Sequence, residues 1–198
     1  MKLYDYLCVK RGIEGGVVNA LIQKKMLYED RRGNVVFVGY DELGKPRFAS
    51  LRGTYGDFRG DCPGSDKRYG FGIASTASDQ LYIFESPIDL MSHASMEVIF
   101  KGGENAWAGR SRLSLAGTGD TAMPFFLNQH KSVKELVFCL DNDEAGREAS
   151  HRLALKYADM GYYARVEPPL GKDYNEELMG MRKAKRLERL NAKNEPYL

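Results

Sequence analysis

A chain of 198 residues with 43% hydrophobic and 28% charged side chains has an ordinary globular composition and fits one domain or two small ones. No apolar run reaches the roughly 18 residues of a membrane span, and the N-terminus lacks the charged, apolar and small-residue pattern of a secretion signal. A cytoplasmic protein with no membrane partner is expected. The three cysteines, Cys8, Cys62 and Cys139, are scattered and form no Cys-x-x-Cys pair, which suggests neither a disulfide framework nor a zinc finger.

The net charge of +2 conceals a segregation. Residues 1–75 carry 13 Lys/Arg against 9 Asp/Glu, residues 76–180 carry 10 against 16, and residues 181–198 carry 6 against 2. An acidic centre between basic flanks suits a metal site beside a nucleic-acid track, because carboxylates hold cations and Lys and Arg attract phosphates. An unevenly charged solvated surface accounts for the same counts.

Residues 3–28 read as a short helical region. Leu3, Tyr4, Leu7 and Cys8 have helical spacing, and after a break at Gly15-Gly16 a second stripe runs through Val17, Val18, Leu21, Ile22 and Leu27. Residues 35–38 and 48–51 predict two strands of a hairpin turning at 41–46. Residues 52–72, rich in glycine and charge, predict loop with at most one short strand. That stretch interleaves Arg52, Arg59, Lys67 and Arg68 with Tyr55, Phe58, Tyr69 and Phe71, a mixture that suits phosphate contact and base stacking as well as a loop anchored by its aromatics.

The composition changes near residues 75–79. Residues 80–85 predict a buried strand ending in Glu85, where a carboxylate needs a partner or solvent. Ser86 is a good N-cap, Pro87 a favoured first helical residue, and Asp89 completes a capping-box-like pair with Ser86, so Asp89 has a structural role available. A glycine-rich loop over 101–111 carries Trp107. A short strand at 113–116 turns through Gly117 and Gly119 into a helix over 121–131. Residues 136–140 then predict a strand and 144–160 a helix with Ala145, Ala149, Leu153 and Ala154 facing the core; Gly161 stops it. A fourth strand at 163–166 leads to Lys172-Asp173-Tyr174-Asn175-Glu176. This β-α-β-α-β-α-β order over 80–177 predicts a parallel sheet with right-handed crossovers.

The stretch Leu136-Val137-Phe138-Cys139-Leu140-Asp141-Asn142-Asp143 puts two carboxylates just past the carboxyl end of a strand, where open parallel sheets gather ligands. Asp141 and Asp143 can converge on Mg²⁺, which takes one or two carboxylates and keeps waters and substrate phosphates. Asp143 can equally cap the next helix, with Asp141 a solvated turn residue. The basic run 181–190 predicts a helical tail, solvated or in contact with nucleic acid.

Glu85-Ser86-Pro87-Ile88-Asp89, Ser114-Leu115-Ala116-Gly117-Thr118-Gly119, Asp141-Asn142-Asp143-Glu144-Ala145-Gly146-Arg147 and Gly171-Lys172-Asp173-Tyr174-Asn175-Glu176 together resemble a Toprim domain, over about half the chain. Tyr6-Leu7 with Lys10-Arg11-Gly12-Ile13, Val36-x-Val38-Gly39 and Lys67-Arg68-Tyr69-Gly70 more loosely resemble the basic subdomain that precedes Toprim in bacterial DnaG-type primases and in primase-like proteins of plasmids and conjugative elements. The resemblance implies an α/β fold: a Toprim-like four-stranded parallel sheet flanked by helices over 76–180, a small basic α+β subdomain over 1–75, and a basic helical tail over 181–198.

It also implies roles. Glu85 falls on the family's strand-end glutamate, a general acid/base or metal ligand. Asp141 and Asp143 fall on its metal ligands, and Asp89 and Asp173 on positions that help hold a second cation. Asn175 stands where primases often have aspartate, which removes a charge from that second site. Arg11, Lys67 and Arg68, with Arg147 and Lys172 beside the acidic motifs, are the expected nucleic-acid contacts. The implied cofactor is Mg²⁺ or Mn²⁺. The implied partners are DNA or RNA, nucleoside triphosphates, and a helicase or relaxase. Three functions remain open at this point: a primase-like nucleotidyltransferase in replication or transfer of a mobile element, a Toprim nuclease, and a non-catalytic nucleic-acid-binding module.

Overall fold

The computed structural model describes residues 2–194, with side chains as far as 191. The chain opens with α1 (Lys2–Tyr4), which runs on as a π-helical segment Asp5–Lys10, and then α2 (Gly15–Gln23). Gly15 and Gly16 thus belong to the first turn of α2 and do not break it. Leu27 is not on the helical stripe, because α2 ends in a Schellman turn: Lys25 takes a left-handed φ of 58°, Lys25 N–H donates to Ile22 C=O (2.9 Å), and Met26 N–H donates to Leu21 C=O (2.9 Å). A glycine would have announced that stop; lysine does not.

Four antiparallel strands follow in the order β1-β2-β3-β4: β1 (Leu27–Glu29), β2 (Asn34–Tyr40), β3 (Pro46–Gly53) and β4 (Arg59–Asp61). The hairpin between β2 and β3 is held by one side chain. Asp41 Oδ1 accepts N–H bonds from Leu43 (3.0 Å) and Lys45 (2.9 Å), and its Oδ2 accepts from Arg47 Nε (2.7 Å).

The second sheet has the order β5-β7-β6-β8-β9, with β5 (Gly72–Ile73), β6 (Gln80–Phe84), β7 (Ser111–Ser114), β8 (Glu135–Phe138) and β9 (Tyr163–Val166). Four strands are parallel, as expected. The fifth, β5, pairs antiparallel with β7 and comes from the stretch read as loop, so residues before 75 complete the edge of this sheet. The crossovers are α3 (Pro87–Lys101), α4 (Met123–Gln129) and α5 (Glu144–Asp159), and α6 (Tyr174–Asn194) follows β9. The boundary expected between residues 180 and 181 falls inside α6, which is one helix with Leu178 buried and Met181 packed on the core.

Strand periodicity sorts the core into two halves. Tyr82, Phe84, Val137 and Cys139 face α3 and α6, and this half is continuous with Leu3, Leu7, Val17, Val18 and Leu21 of the N-terminal helices. Leu81, Ile83, Leu136 and Phe138 face the other way, against Met123 and Leu127 of α4 and Ala149, Leu153 and Tyr157 of α5. Ala145, expected in this core, is exposed, and its neighbour Gly146 is buried instead.

Every residue of α3 from Pro87 to Glu97 is buried, so its polar groups need partners. Arg112 of β7, fully buried, donates to Glu97, to Trp107 C=O (2.6 Å), to Arg110 C=O (3.1 Å) and to His93 Nδ1 (3.2 Å). Arg110 and Lys101 reach the same Glu97 carboxylate at 2.6 and 2.9 Å. Burial, then the nearby Arg112, Arg110 and Lys101 charges, keep His93 neutral, and the Arg112 bond to Nδ1 puts its proton on Nε2.

Candidate functional site

The acidic residues gather at one edge of the parallel sheet. Glu85 follows β6, Asp141 and Asp143 follow β8, Asp173 lies between β9 and α6, and Asp89 occupies the first turn of α3. Several have the capping roles their local sequence suggests. Ser86 Oγ accepts the Asp89 N–H (3.3 Å) and donates to Asp89 Oδ2 (2.5 Å); Asp143 Oδ1 accepts from Gly146 N–H (2.9 Å); Asp173 Oδ1 accepts from Glu176 N–H (2.7 Å). Each cap uses one oxygen of Asp143 or Asp173 and leaves the other available.

Mutual repulsion marks the five carboxylates as neighbours. Burial, reinforced by the charges of Asp89, Glu85, Asp173 and Asp143, pushes the Asp141 carboxyl up to about 8. Burial likewise raises Asp89 to about 6, against the Ser86 hydrogen bond that lowers it, with Asp173 adding repulsion. Glu85 is raised by burial, partly offset by the Asp141 N–H that donates to its Oε1 (3.2 Å), and raised again by Asp143. Among the described residues no group of three or more His, Cys, Asp or Glu side chains is arranged to hold a metal ion. The donor chemistry nevertheless fits a hard cation, since Mg²⁺ needs only one or two protein carboxylates beside water and phosphate, and repulsion of this kind is what a divalent cation relieves.

Backbone close approach shapes the cluster. A Cβ on Gly146 would lie 2.1 Å from Asp141 C=O and 2.8 Å from Glu85 Oε1, so only glycine lets the first turn of α5 reach the ends of β6 and β8. Ala116, just past β7, has a left-handed φ of 54°, which a non-glycine residue adopts at a cost of about 1 kcal/mol or more. The turn it makes lets Gly117 N–H and Ser114 Oγ donate to Glu85 C=O at 3.1 and 3.3 Å. Neither role has a signal in the chain beyond the bare glycines.

Asn175 is a buried hub. Its Nδ2 donates to Arg11 C=O (2.7 Å) and Ser92 Oγ (3.0 Å), its N–H donates to Asp89 Oδ1 (3.2 Å), and its Oδ1 accepts from Arg11 Nη1 (3.1 Å). An aspartate there would face a carbonyl with no donor.

The expected nucleic-acid residues are placed unevenly. Arg11 is half-buried, tied to Asn175 and lying over the Tyr6 ring, next to the cluster. Arg147 and Lys172 are exposed and flank Asn142: Arg147 Nη1 donates to Asn142 C=O (2.7 Å), and Asn142 N–H donates to Lys172 C=O (2.7 Å). Lys67 and Arg68 stand on a 3₁₀ turn (Lys67–Tyr69), paired with Asp61 (3.2 Å) and Asp66 (2.6 Å), and Arg68 covers the Tyr69 and Phe125 rings. Two glycines seat that turn over the end of β7. A Cβ on Gly70 would lie 2.8 Å from Ser114 C=O, and one on Gly39 of β2 would lie 1.7 Å from Tyr69 C=O.

A parallel sheet with acidic residues past three strand ends, fed from an N-terminal α+β segment, defines a class, and comparison with known proteins agrees with it. Residues 82–178 match the family model described as Toprim-like, and residues 5–77 match one described as "Protein of unknown function (DUF3991)". Residues 82–178 thus form a Toprim-like domain. Its fold is that of primase catalytic cores: it matches the primase fragment of the bacteriophage T7 primase-helicase protein at a TM-score of 0.62 (16% identity, 92% of this chain and 72% of that one). It matches the DnaG primase catalytic domain bound to ssDNA at 0.52 (20% identity, 95% and 62%). Among curated sequences, an uncharacterized protein, pXO2-78, of Bacillus anthracis is 26% identical over 162 residues, and a 65 kDa protein of Zymomonas mobilis is 31% identical over 169. This chain covers 45% and 28% of the length of those two relatives. No helix of the described residues is long and apolar enough to cross a membrane.

Proposed function

We propose that the chain is a primase-like nucleotidyltransferase, dependent on Mg²⁺ or Mn²⁺, that joins nucleoside triphosphates on a DNA or RNA template in the replication or transfer of a mobile element. The observation that carries this reading is the gathering of Glu85, Asp89, Asp141, Asp143 and Asp173 past the strand ends at one sheet edge, where burial and neighbouring charge raise the proton affinities of Glu85, Asp89 and Asp141. Asp141 and Asp143 would hold the cation, with Asp89 and Asp173 supporting a second. When bound, the cation supplies charge neutralisation on the transferring phosphates.

The chain's own groups do the rest. A 3′ hydroxyl attacks the nucleotide's α-phosphorus, the new O–P bond forms as the bond to pyrophosphate breaks, and Glu85, made more basic by burial, takes the hydroxyl proton. Arg147 and Lys172, exposed at the rim, meet the triphosphate. Arg11, Lys67 and Arg68 meet the template backbone, and the Tyr69 and Phe125 rings offer stacking surfaces for bases. A similar fold has been seen bound to ssDNA, and another belongs to a primase-helicase protein, which supports a template of single-stranded DNA and a helicase or relaxase partner.

The test is incubation of the purified chain with single-stranded DNA, labelled nucleoside triphosphates and Mg²⁺ or Mn²⁺, beside Glu85→Gln and Asp141→Asn/Asp143→Asn. Products longer than a dinucleotide, lost in both variants, are expected. Shortened DNA without incorporation would assign a nuclease instead. Bound DNA with no turnover would assign a non-catalytic module.

A further inference from the structure

Helix α6 starts at the acidic cluster and outruns the residues it packs on. Asn175 meets Asp89 and Arg11, Leu178 is buried, and Arg182 donates to Gly12 C=O and Glu14 Oε1, both at 2.6 Å. At about 100° per residue, Asn175, Arg182 and Arg189 lie within roughly 40° of one line along the helix, with Lys185 and Arg186 on either side of it. The face clamped to the N-terminal segment therefore continues, past Arg182, as a row of cations.

Past Arg182, which pairs with Glu14, the row has one acidic neighbour on the helix, Glu188. Lys185, Arg186 and Arg189 are exposed and make no salt bridge among the described residues. Arg182 and Arg186, and Lys185 and Arg189, are like charges four apart, a spacing that destabilises a helix unless an anion lies across it. Glu188 lies three residues after Lys185, on a neighbouring position, and projects about 100° away from Arg189. At about 1.5 Å per residue, Arg189 stands roughly 20 Å along the helix from Asn175 at the cluster.

We infer that Lys185, Arg186 and Arg189 form a second nucleic-acid contact, which grips the phosphates of a single strand that leaves the acidic site and meets α6 beyond Arg182. The N-terminal segment occupies this face from Asn175 to Arg182, so the strand meets the helix beyond Arg182, from Lys185 about 15 Å along it from Asn175. A membrane surface fits less well, because the exposed large apolar side chains of residues 183–190 are Leu187 and Leu190 alone, with no aromatic residue among them. This contact deepens the proposed nucleic-acid role, and it is tested separately from catalysis.

The experiment uses the full chain and Lys185→Ala/Arg186→Ala/Arg189→Ala, with Lys183→Ala on the neighbouring face as control. Alanine is a strong helix former, and circular dichroism checks that the helix is kept. Binding of a fluorescent single-stranded DNA oligonucleotide is measured across a salt series. Loss of three phosphate contacts lowers the salt slope by about 2 and weakens binding about 50-fold near 0.15 M salt, while the control stays within about twofold. Unchanged slope and affinity in the triple variant overturn the inference. So does retained DNA binding with lost binding to vesicles of anionic phospholipid, which would assign a membrane surface. Stripe-dependent DNA binding without nucleotide incorporation leaves the contact standing and removes the transferase; incorporation with stripe-independent binding does the reverse.

Discussion

Replacing Gly146 by alanine sets two physical effects against each other at the centre of the candidate site. Alanine is favoured over glycine inside a helix by about 1 kcal/mol. Against this, the new Cβ would stand 2.1 Å from Asp141 C=O where ordinary contact begins near 3.4 Å, so α5 must retreat by more than an ångström. The obstructing atom is backbone and cannot rotate away. Overpacking of this kind costs about 1–3 kcal/mol or somewhat more, so the clash wins by about 1–2 kcal/mol. For a chain of this size that lowers the midpoint of thermal unfolding by roughly 2–8 °C. Gly180→Ala is the matched control, because nothing lies within 4 Å of its Cβ position on α6. It is expected to stabilise by about 0.5–1 kcal/mol. Thermal and urea unfolding followed by circular dichroism measures both, and nucleotide incorporation should fall only in Gly146→Ala, as Asp141 and Glu85 are pushed apart. A Gly146→Ala protein as stable as Gly180→Ala would refute the close-approach reasoning.

Three further outcomes are expected. Glu97→Ala leaves the fully buried Arg112 without its carboxylate and should cost about 3–5 kcal/mol in urea unfolding, whereas Lys67→Ala, at an exposed pair, should leave the midpoint unchanged; equal effects would contradict the burial argument. Asp141 ionises near 3.8 in the unfolded chain and about 8 in the folded one, so between these values the folded state holds a proton the unfolded state has released, and stability falls as pH rises. Asp141→Asn removes that penalty. In chelator it should stabilise the protein by about 1–2 kcal/mol at pH about 8, after discounting for solvent screening, with little effect near pH 4; the reverse ordering would be fatal to the repulsion model. Asn175→Asp replaces two donated hydrogen bonds with a carboxylate facing Arg11 C=O beside Asp89, and should destabilise by about 2–3 kcal/mol at neutral pH and less in acid. Denaturation midpoints that show no loss at neutral pH would remove Asn175 from its role as a hub.

Much of the fold was legible because its signals are local. The apolar runs of β6 and β8, the Ser86-Pro87 helix start and the Gly161 stop are statements about neighbouring residues, and the structure reproduces them. The errors came where a local signal was absent or misleading. Lys25 performs a turn usually made by glycine, Ala145 looked apolar enough for the core while Gly146 occupies it, and β5 is too short to carry a pattern. The placing of Glu85, Asp141 and Asp143 past strand ends was readable in the same local terms, as was the cap made by Asp143.

The sequence by itself determined the order of strands and helices, and with it the edge of the sheet on which the carboxylates stand, because alternation, caps and turns act over a few residues. Only the tertiary structure decided how those carboxylates meet. Asn175 is joined to Arg11 across 164 residues, Gly39 passes under Tyr69, and Gly146 admits α5 to within contact of Asp141. Such approaches depend on packing between distant segments, where the deciding quantity is the space left for one methyl group, and a single chain of letters carries no period or spacing that records it.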